Sequence, residues 1–298
     1  MNQKQAALLS FLSKAANGRA EMSSQLLDDF AQSARDALEK HFNTKEEGFR
    51  LRMSNVGKPL CQLQMEASGQ EAEGYSYDFK MRVIMGDLME ALLITLMQAS
   101  GIEIKNKHKQ VELNIDGTEV RGEFDVELDD GIYDIKTASP YAFEHKFNSD
   151  NAFDSMKKSD SFGYIPQGYG YGMAAGVPFK GWIALNKSTG EIAFAEVPDG
   201  EQYKYEAKAK ISDTVNAIGN KKPFKRCFDD YEEMFYKKAT GNRVLGIECS
   251  YCPFKKKCWN NLQHKKQLPS KGRNPRWVWY THIAEEWNES NNNIHENG

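Results

Sequence analysis

Arg121-Gly-Glu-Phe-Asp-Val-Glu-Leu-Asp-Asp-Gly-Ile-Tyr-Asp-Ile-Lys136 is the stretch on which the fold turns. Glu119–Leu128 alternates apolar with polar residues, Asp129-Asp130-Gly131 is a tight-turn signal, and Ile132–Lys136 reads as a second short strand. Residues two apart in a strand share a face, so Asp134 and Lys136 are expected to point one way and Ile135 to the opposite, buried side. Asp125, on the preceding antiparallel strand, reaches the same face as Asp134. Two carboxylates about 4 Å apart repel by roughly 4 kcal/mol at an effective dielectric near 20, so a fold that keeps them needs compensation. A divalent cation supplies it, and oxygen ligands suit magnesium or manganese. A lysine beside such a centre would orient or deprotonate an attacking water or stabilise charge on a phosphate, while the metal polarises the phosphoryl oxygen.

The acid-x-Lys triplet alone carries little weight. It begins at Asp78, Glu103, Asp134, Glu144 and Glu206, and Glu103-Ile-Lys105 shares even the apolar centre. The plain alternative for any of them is a solvated face. What sets Asp134 apart is its surroundings. Ser24 is positioned to cap a helix carrying Leu26, Leu27, Phe30, Ala34 and Leu38, and Arg50–Pro59 reads as a loop. Tyr77–Gln98 has near-helical apolar spacing and ends before Gly101. Val111–Ile115 and Glu119–Leu128 flank the hairpin signal Asp116-Gly117. Lys146–Asp160 reads as a mobile polar loop, Gly163–Gly176 as a helix despite its glycines, and Lys180–Asn186 with Glu191–Val197 as a second hairpin. Tyr203–Ile218 is a further helix. Helix, three strands, helix, strands and helix predict an α/β fold.

A formal charge of −3, with 40% hydrophobic and 27% charged residues, fits a water-soluble globular chain. No stretch is long and apolar enough to span a membrane, and Met1–Ala16 lacks a signal-peptide layout, so a cytoplasmic protein with no membrane partner is expected. Charge is uneven, with eight Lys or Arg and no acid between Lys255 and Arg276. Trp259, Trp277 and Trp279 interleave with that basic run, which suits single-stranded nucleic acid, although a solvated tail and core tryptophans are the plainer reading. Lys157 and Lys158 are further candidates for gating a strand. The last ten residues are expected to be disordered.

There are five cysteines: Cys61, Cys227, Cys249, Cys252 and Cys258. In a reducing compartment the dense group Cys249-Ser-Tyr-Cys252-Pro-Phe-Lys-Lys-Lys-Cys258 reads as metal binding. Three thiolates leave one position for a fourth, with Cys61 the candidate and Cys227 its competitor. His108, His145 and His264 lack metal spacing and read as ordinary polar residues, with His145 close enough to the Lys136 strand to touch a substrate.

Gly122-Glu-Phe-Asp125, Asp134-Ile-Lys136 and Gln167-Gly-Tyr-Gly-Tyr171, in this order, resemble the RecB-type branch of the PD-(D/E)XK nucleases. The resemblance covers about Ser54–Trp259. It implies a restriction-endonuclease-like core, a mixed central sheet flanked by helices, with a helical N-terminal extension and a C-terminal cysteine-cluster subdomain. It also implies that Asp125 and Asp134 bind metal, that Lys136 is catalytic, and that Gln167 and Tyr171 position substrate and lysine. Gly86-Asp-Leu-Met-Glu90 matches the spacing of the family's first motif with Glu for His, which makes Glu90 a metal ligand and Asp87 its competitor. Ile135 would add its backbone carbonyl. The cysteine pattern resembles CRISPR-associated RecB-like exonucleases and AddB-type helicase-nucleases, in which four such cysteines hold a 4Fe–4S cluster; this implies Cys61, Cys249, Cys252 and Cys258, with Zn2+ as the alternative. The expected organisation is a helical extension over 1–53, a nuclease domain over 54–262 and a basic, then disordered tail over 263–298. The function implied is a Mg2+- or Mn2+-dependent DNA exonuclease on single- or double-stranded ends in recombination, repair or end processing, in a phage-type setting and with a possible recombination partner protein. The alternative is a non-catalytic DNA-binding or scaffold protein stabilised by a four-cysteine metal site.

Overall fold

A computed structural model describes residues 2–43, 48–74 and 76–285. The elements begin with α1 (Gln3–Ala16), α2 (Ser24–Phe42), α3 (Leu60–Ala67) and α4 (Tyr77–Ala99), followed by strands β1 (Ile104–Ile115), β2 (Thr118–Leu128) and β3 (Ile132–Ala138). Next come α5 (Pro140–Ala142), a π-helical turn over Phe143–Phe147, α6 (Ala152–Lys158), α7 (Tyr164–Ala175), β4 (Phe179–Asn186), β5 (Ile192–Glu196) and α8 (Glu201–Gly219). The chain continues with β6 (Tyr231–Phe235), β7 (Lys238–Val244), α9 (Ile247–Tyr251), α10 (Lys255–Cys258), β8 (Gln263–Lys266) and β9 (Trp277–His282). They form two compact units, Met1–Lys58 with Ser76–Lys221, and Pro59–Tyr75 with Lys222–Gly298.

The first unit holds a mixed five-stranded sheet, in order β1-β2-β3-β4-β5, flanked by helices. Asp116 and Gly117 both take positive φ, the requirement of a two-residue turn that matches strand twist, and they join β1 to β2 as an antiparallel pair. The return from β3 to β4 runs through α7 and makes that pair parallel, from Ile132↔Phe179 to Ala138↔Asn186. Both sheet faces are covered. One buries Phe124, Phe179 and Trp182 against Tyr169 and Tyr171 of α7 and Ile211 of α8. The other buries Tyr133, Ile135 and Ile183 against Leu8 of α1 and Leu93 and Met97 of α4. Glycine costs helix stability, yet α7 carries three in its middle because a Cβ would stand 2.2 Å from the Phe179 ring at Gly168, 2.3 Å from the Met53 sulfur at Gly170 and 2.9 Å from the Val177 carbonyl at Gly172. The helix lies too close to the sheet for any side chain there.

Several expectations shift. Lys146–Asp160 is not a loop: the π-helical turn and α6 occupy it, with Phe147, Ala152, Phe153 and Met156 buried. Four apolar residues, sparse among polar ones, are enough to anchor a short helix when a core is waiting. Ser23, not Ser24, caps α2. α1, α3 and the β6–β7 hairpin were not anticipated.

The second unit holds a four-stranded antiparallel sheet, order β6-β7-β9-β8, over a small core of Val244, Val278, Tyr280 and Ile283. A buried carboxylate, Glu233, is matched on all sides, accepting hydrogen bonds from Thr240, Asn242, Gln267 and Tyr280. The segment expected as a tail, 263–298, therefore supplies two strands, because Val278 and Tyr280 alternate with Trp277 and Trp279 and find their partners in β7 and β8. The disorder expected of the last ten residues falls outside the described residues. No described helix is long and apolar enough to cross a membrane.

Candidate active site

The geometry starts from a fork in the sheet. β2 and β3 pair only at Val126↔Tyr133 and Glu127↔Ile132, while β3 stays paired with β4 to its end. From Asp134 onward β3 parts from β2, and the strap at Arg52 and Met53 takes over the β2 edge, with the Met53 N–H donating to the Arg121 carbonyl at 2.7 Å. Asp125 sits at the crotch of the fork. Its Oδ2 accepts the Ile135 N–H at 2.5 Å, which a continuous β2 backbone would otherwise receive. The N–H and C=O of one strand residue point to the same side, so the Ile135 carbonyl faces the fork too.

Asp134 and Lys136 share a strand face as expected, but that face is not open to solvent. Asp134 is 2% exposed and sits 2.6 Å from Lys136 Nζ in a close, poorly directed ion pair. Lys136 lies over the Tyr164 ring of α7, 5.2 Å from its centre. Burial works against the lysine's charge, but Asp134 and Asp125 outweigh it and hold the ammonium pKa above its ordinary value. Those two carboxylates hold Lys136 as a cation beside them. Asp125 is pushed well above the usual carboxylate range, by burial first and then by Asp134 and Glu90.

Glu90 reaches this group from α4. Burial, then repulsion from Asp87 and Asp134, pushes it up to about 7, with Lys136 and Lys40 opposing. Its competitor Asp87 is engaged elsewhere, 3.1 Å from both Lys40 and His41. His108 is the residue that sequence reasoning missed. β1 begins seven residues earlier than Val111, and Lys107↔Val126 with Lys109↔Phe124 place His108 across from Asp125. Its φ of 50° is unusual for a non-glycine residue, and its Nδ1 lies 3.5 Å from Glu90 Oε1. Burial, together with Lys107 and Lys40, lowers its pKa despite Glu123, so the ring is neutral near pH 7. Its only signal was pairing register, which a single chain does not display.

The glycine and helix motifs serve this geometry. A Cβ on Gly122 would stand 2.5 Å from Met53 Cβ and 2.7 Å from the Tyr171 ring, so glycine lets α7 settle on β2. Gln167 Nε2 donates to the Tyr171 hydroxyl at 3.1 Å, both side chains being buried, one helical turn apart. Burial and then Asp134 raise the Tyr171 pKa, which keeps the phenol a donor. His145 is exposed and stacked on Tyr141, away from these contacts. Lys157 is paired with Glu206 at 2.7 Å.

Three carboxylates from three elements crowd one ammonium. Among the described residues, however, no three His, Cys, Asp or Glu side chains converge at ligand spacing. Asp134 is turned to Lys136 and Asp125 to a backbone amide. The donor chemistry fits a hard divalent cation, since burial and then neighbouring carboxylates (Asp134 in both cases) raise the pKa values of Asp125 and Glu90, and a cation would offset both causes.

The cysteines all belong to the second unit. Cys61, Cys249, Cys252 and Cys258 line one small cavity, beside Trp259 and Phe228. Cys227 is exposed, and its Sγ accepts the Cys61 N–H at 3.1 Å. Burial pushes the Cys249 thiol up to about 11, and the buried Trp259 indole N–H beside these thiols has no hydrogen-bond partner among the described residues. Four thiols lining one cavity have the donor chemistry of a thiolate metal group, and Cys227, which touches Cys61, is not part of that lining.

No family profile and no curated protein matches this sequence. Among solved structures, that of SSO0001 is 14% identical with a TM-score of 0.41, over 75% of this chain and 93% of that one. A protein of Eubacterium rectale that carries a provisional exonuclease name is 14% identical with a TM-score of 0.39, over 70% of this chain and 90% of that one.

Proposed function

We propose that this chain is a DNA nuclease that hydrolyses phosphodiester bonds at strand ends with the help of Mg2+ or Mn2+. The observation that carries the reading is the fork between β2 and β3, where Asp134 pairs with the charged Lys136 and Asp125 and Glu90 act on the same group electrostatically. A fold that buries like charges at a break in its sheet tolerates an arrangement that stability alone disfavours, and such groups cluster at functional sites. Asp125, Asp134, Glu90 and the Ile135 carbonyl would hold the cation, which supplies Lewis-acid activation of water and phosphate. Lys136 offers its ammonium to the phosphate oxygens, where negative charge grows as the bond breaks. Tyr164, whose ring lies under the lysine, keeps it from turning away, and the buried Gln167–Tyr171 pair on the same helix would position substrate. His108 braces Glu90 from β1.

We further propose that Cys61, Cys249, Cys252 and Cys258 hold a 4Fe–4S cluster that closes the second unit, joining residues nearly two hundred positions apart in the chain. Absorption near about 400 nm with four irons per chain is the expected signature; a colourless protein with one zinc per chain would replace the cluster with Zn2+. The nuclease reading is tested by incubating end-labelled single and double strands, beside covalently closed circles, with Mg2+, Mn2+ or chelator. Loss of label from ends, circles untouched, and no reaction in chelator are expected. A protein that binds DNA but leaves every substrate whole under all metals would be a scaffold.

A further inference from the structure

One face of the β8–β9 ladder in the second unit carries a column of rings. His264 pairs with Trp279 across the ladder and stacks on it, with ring centres 4.2 Å apart and planes 14° from parallel. Trp277, two residues along β9 and therefore on the same face, meets the other neighbour position of His264 at 5.0 Å and 35°. The opposite face of the same ladder is the core side, carrying Val278 and Tyr280. The column is thus tryptophan, imidazole, tryptophan, and it ends on Trp277, which is 59% exposed. Trp259, by contrast, is buried under the Arg226 guanidinium and belongs to the core.

Cations surround this column. Lys255 and Lys256 Nζ lie 4.9 and 5.8 Å from the centre of the Trp279 ring, and Lys266 sits across from Trp277 in the register. Among the described residues, Glu73 is the acid that pairs with these lysines. It takes Lys255 at 2.8 Å and reaches Lys256 only at 3.9 Å, leaving Lys256 and Lys266 exposed. The β8–β9 connection adds Lys271, Arg273 and Arg276, all exposed and without an intervening acid. The open indole extends the ring column to the surface, where another flat aromatic group can stack on it. A flat ring at the open end of a stack, edged by lysines, is suited to an unpaired base with its phosphates alongside. A duplex hides its bases, and an acidic peptide would use the lysines but not the ring.

We propose that the His264–Trp279–Trp277 column with Lys256 and Lys266 is a binding surface for single-stranded nucleic acid, on which the first unpaired base continues the stack from Trp277. It deepens the nuclease reading without depending on it, because binding is measured in chelator, where no cleavage occurs. The test is titration of the full chain with a fluorescent oligothymidine and with a blunt duplex, together with the quenching of tryptophan emission. Single strands are expected to quench emission and to bind more tightly than the duplex. Trp277→Ala is expected to lose most of the quenching and about tenfold in affinity for the single strand, with little change for the duplex. Lys256→Gln with Lys266→Gln is expected to flatten the salt dependence by about 0.7 for each phosphate no longer neutralised. Both variants should retain the wild-type melting profile. Unchanged oligothymidine affinity and quenching in folded Trp277→Ala overturns the proposal, as does equal loss on duplex and single strand. Absence of hydrolysis with normal single-strand binding overturns the nuclease reading alone.

Discussion

Glu103-Ile-Lys105 and Asp134-Ile-Lys136 are two acid-x-Lys triplets in one sheet, and the structure treats them oppositely. Glu103 and Lys105 are exposed at the start of β1, an edge strand, and Lys105 merely donates to the Asp129 carbonyl at 3.0 Å. Asp134 and Lys136 lie on the central strand β3, under α7, where the acid is nearly sealed from water. Water screens the first pair, and its charges cost almost nothing. In the second, burial makes each charge depend on its neighbours. The local letters set the side-chain period; the position of the strand in the sheet makes the charges matter.

The sharpest way to break this contrast is at the chemistry. Asp134→Asn and Lys136→Met are each expected to slow cleavage of end-labelled DNA by about a thousandfold or more, several kcal/mol of lost charge stabilisation. Near-wild-type rates in either would reduce the pair to the standing of Glu103 and Lys105. Stability comes next. Lys136→Ala strands buried Asp134 without its cation, so we expect a loss of about 3 kcal/mol in chelator, measured by urea unfolding. An unchanged midpoint would mean that water already screens the pair.

Glu90 sharpens the comparison through pH. Its folded pKa is raised from 4.5 to about 7 by burial and its acidic neighbours. The favourable contribution of the protonated form is complete below the unfolded value and is lost as pH rises through the folded one. Chelated wild type should therefore lose on the order of 2–3 kcal/mol between about pH 4.5 and 7 from this group, a loss that Glu90→Gln should not show. Parallel melting curves for the two proteins across that window would remove Glu90 from the cluster. Gly122→Ala places a methyl against Met53 and Tyr171 and is expected to cost about 1–3 kcal/mol. The smallest effect belongs to the control, Glu103→Gln with Lys105→Met, where both stability and cleavage should stay within about 0.5 kcal/mol of wild type.

Much of the first unit was legible. The Asp116-Gly117 turn, the alternation of β2, and the spacings of α4, α7 and α8 all lie within a few residues of where they were expected, because each is written in local period and turn chemistry. The polar stretch 146–160 misled because composition speaks of solvent, whereas Phe147, Phe153 and Met156 answer to a core supplied by distant strands. The 263–285 segment misled for the same reason: a strand flanked by basic residues is recognisable only beside its partners. The shared strand face of Asp134 and Lys136 was readable from parity, whereas the pairing of Asp87 with Lys40 and His41 of α2 was not, because it joins helices far apart in the chain.

The sequence by itself determined which residues alternate, where the chain turns, and that two acids and a lysine share a strand face, because these follow from dihedral preferences a few residues long. Only the tertiary structure decided that β3 parts from β2 at Asp134, that Asp125 takes the amide exposed there, that His108 stands opposite it, and that Asp134 is buried. Each of those depends on register and burial between segments far apart in the chain, and it is burial that turns an ordinary acid-x-Lys triplet into a strained electrostatic site.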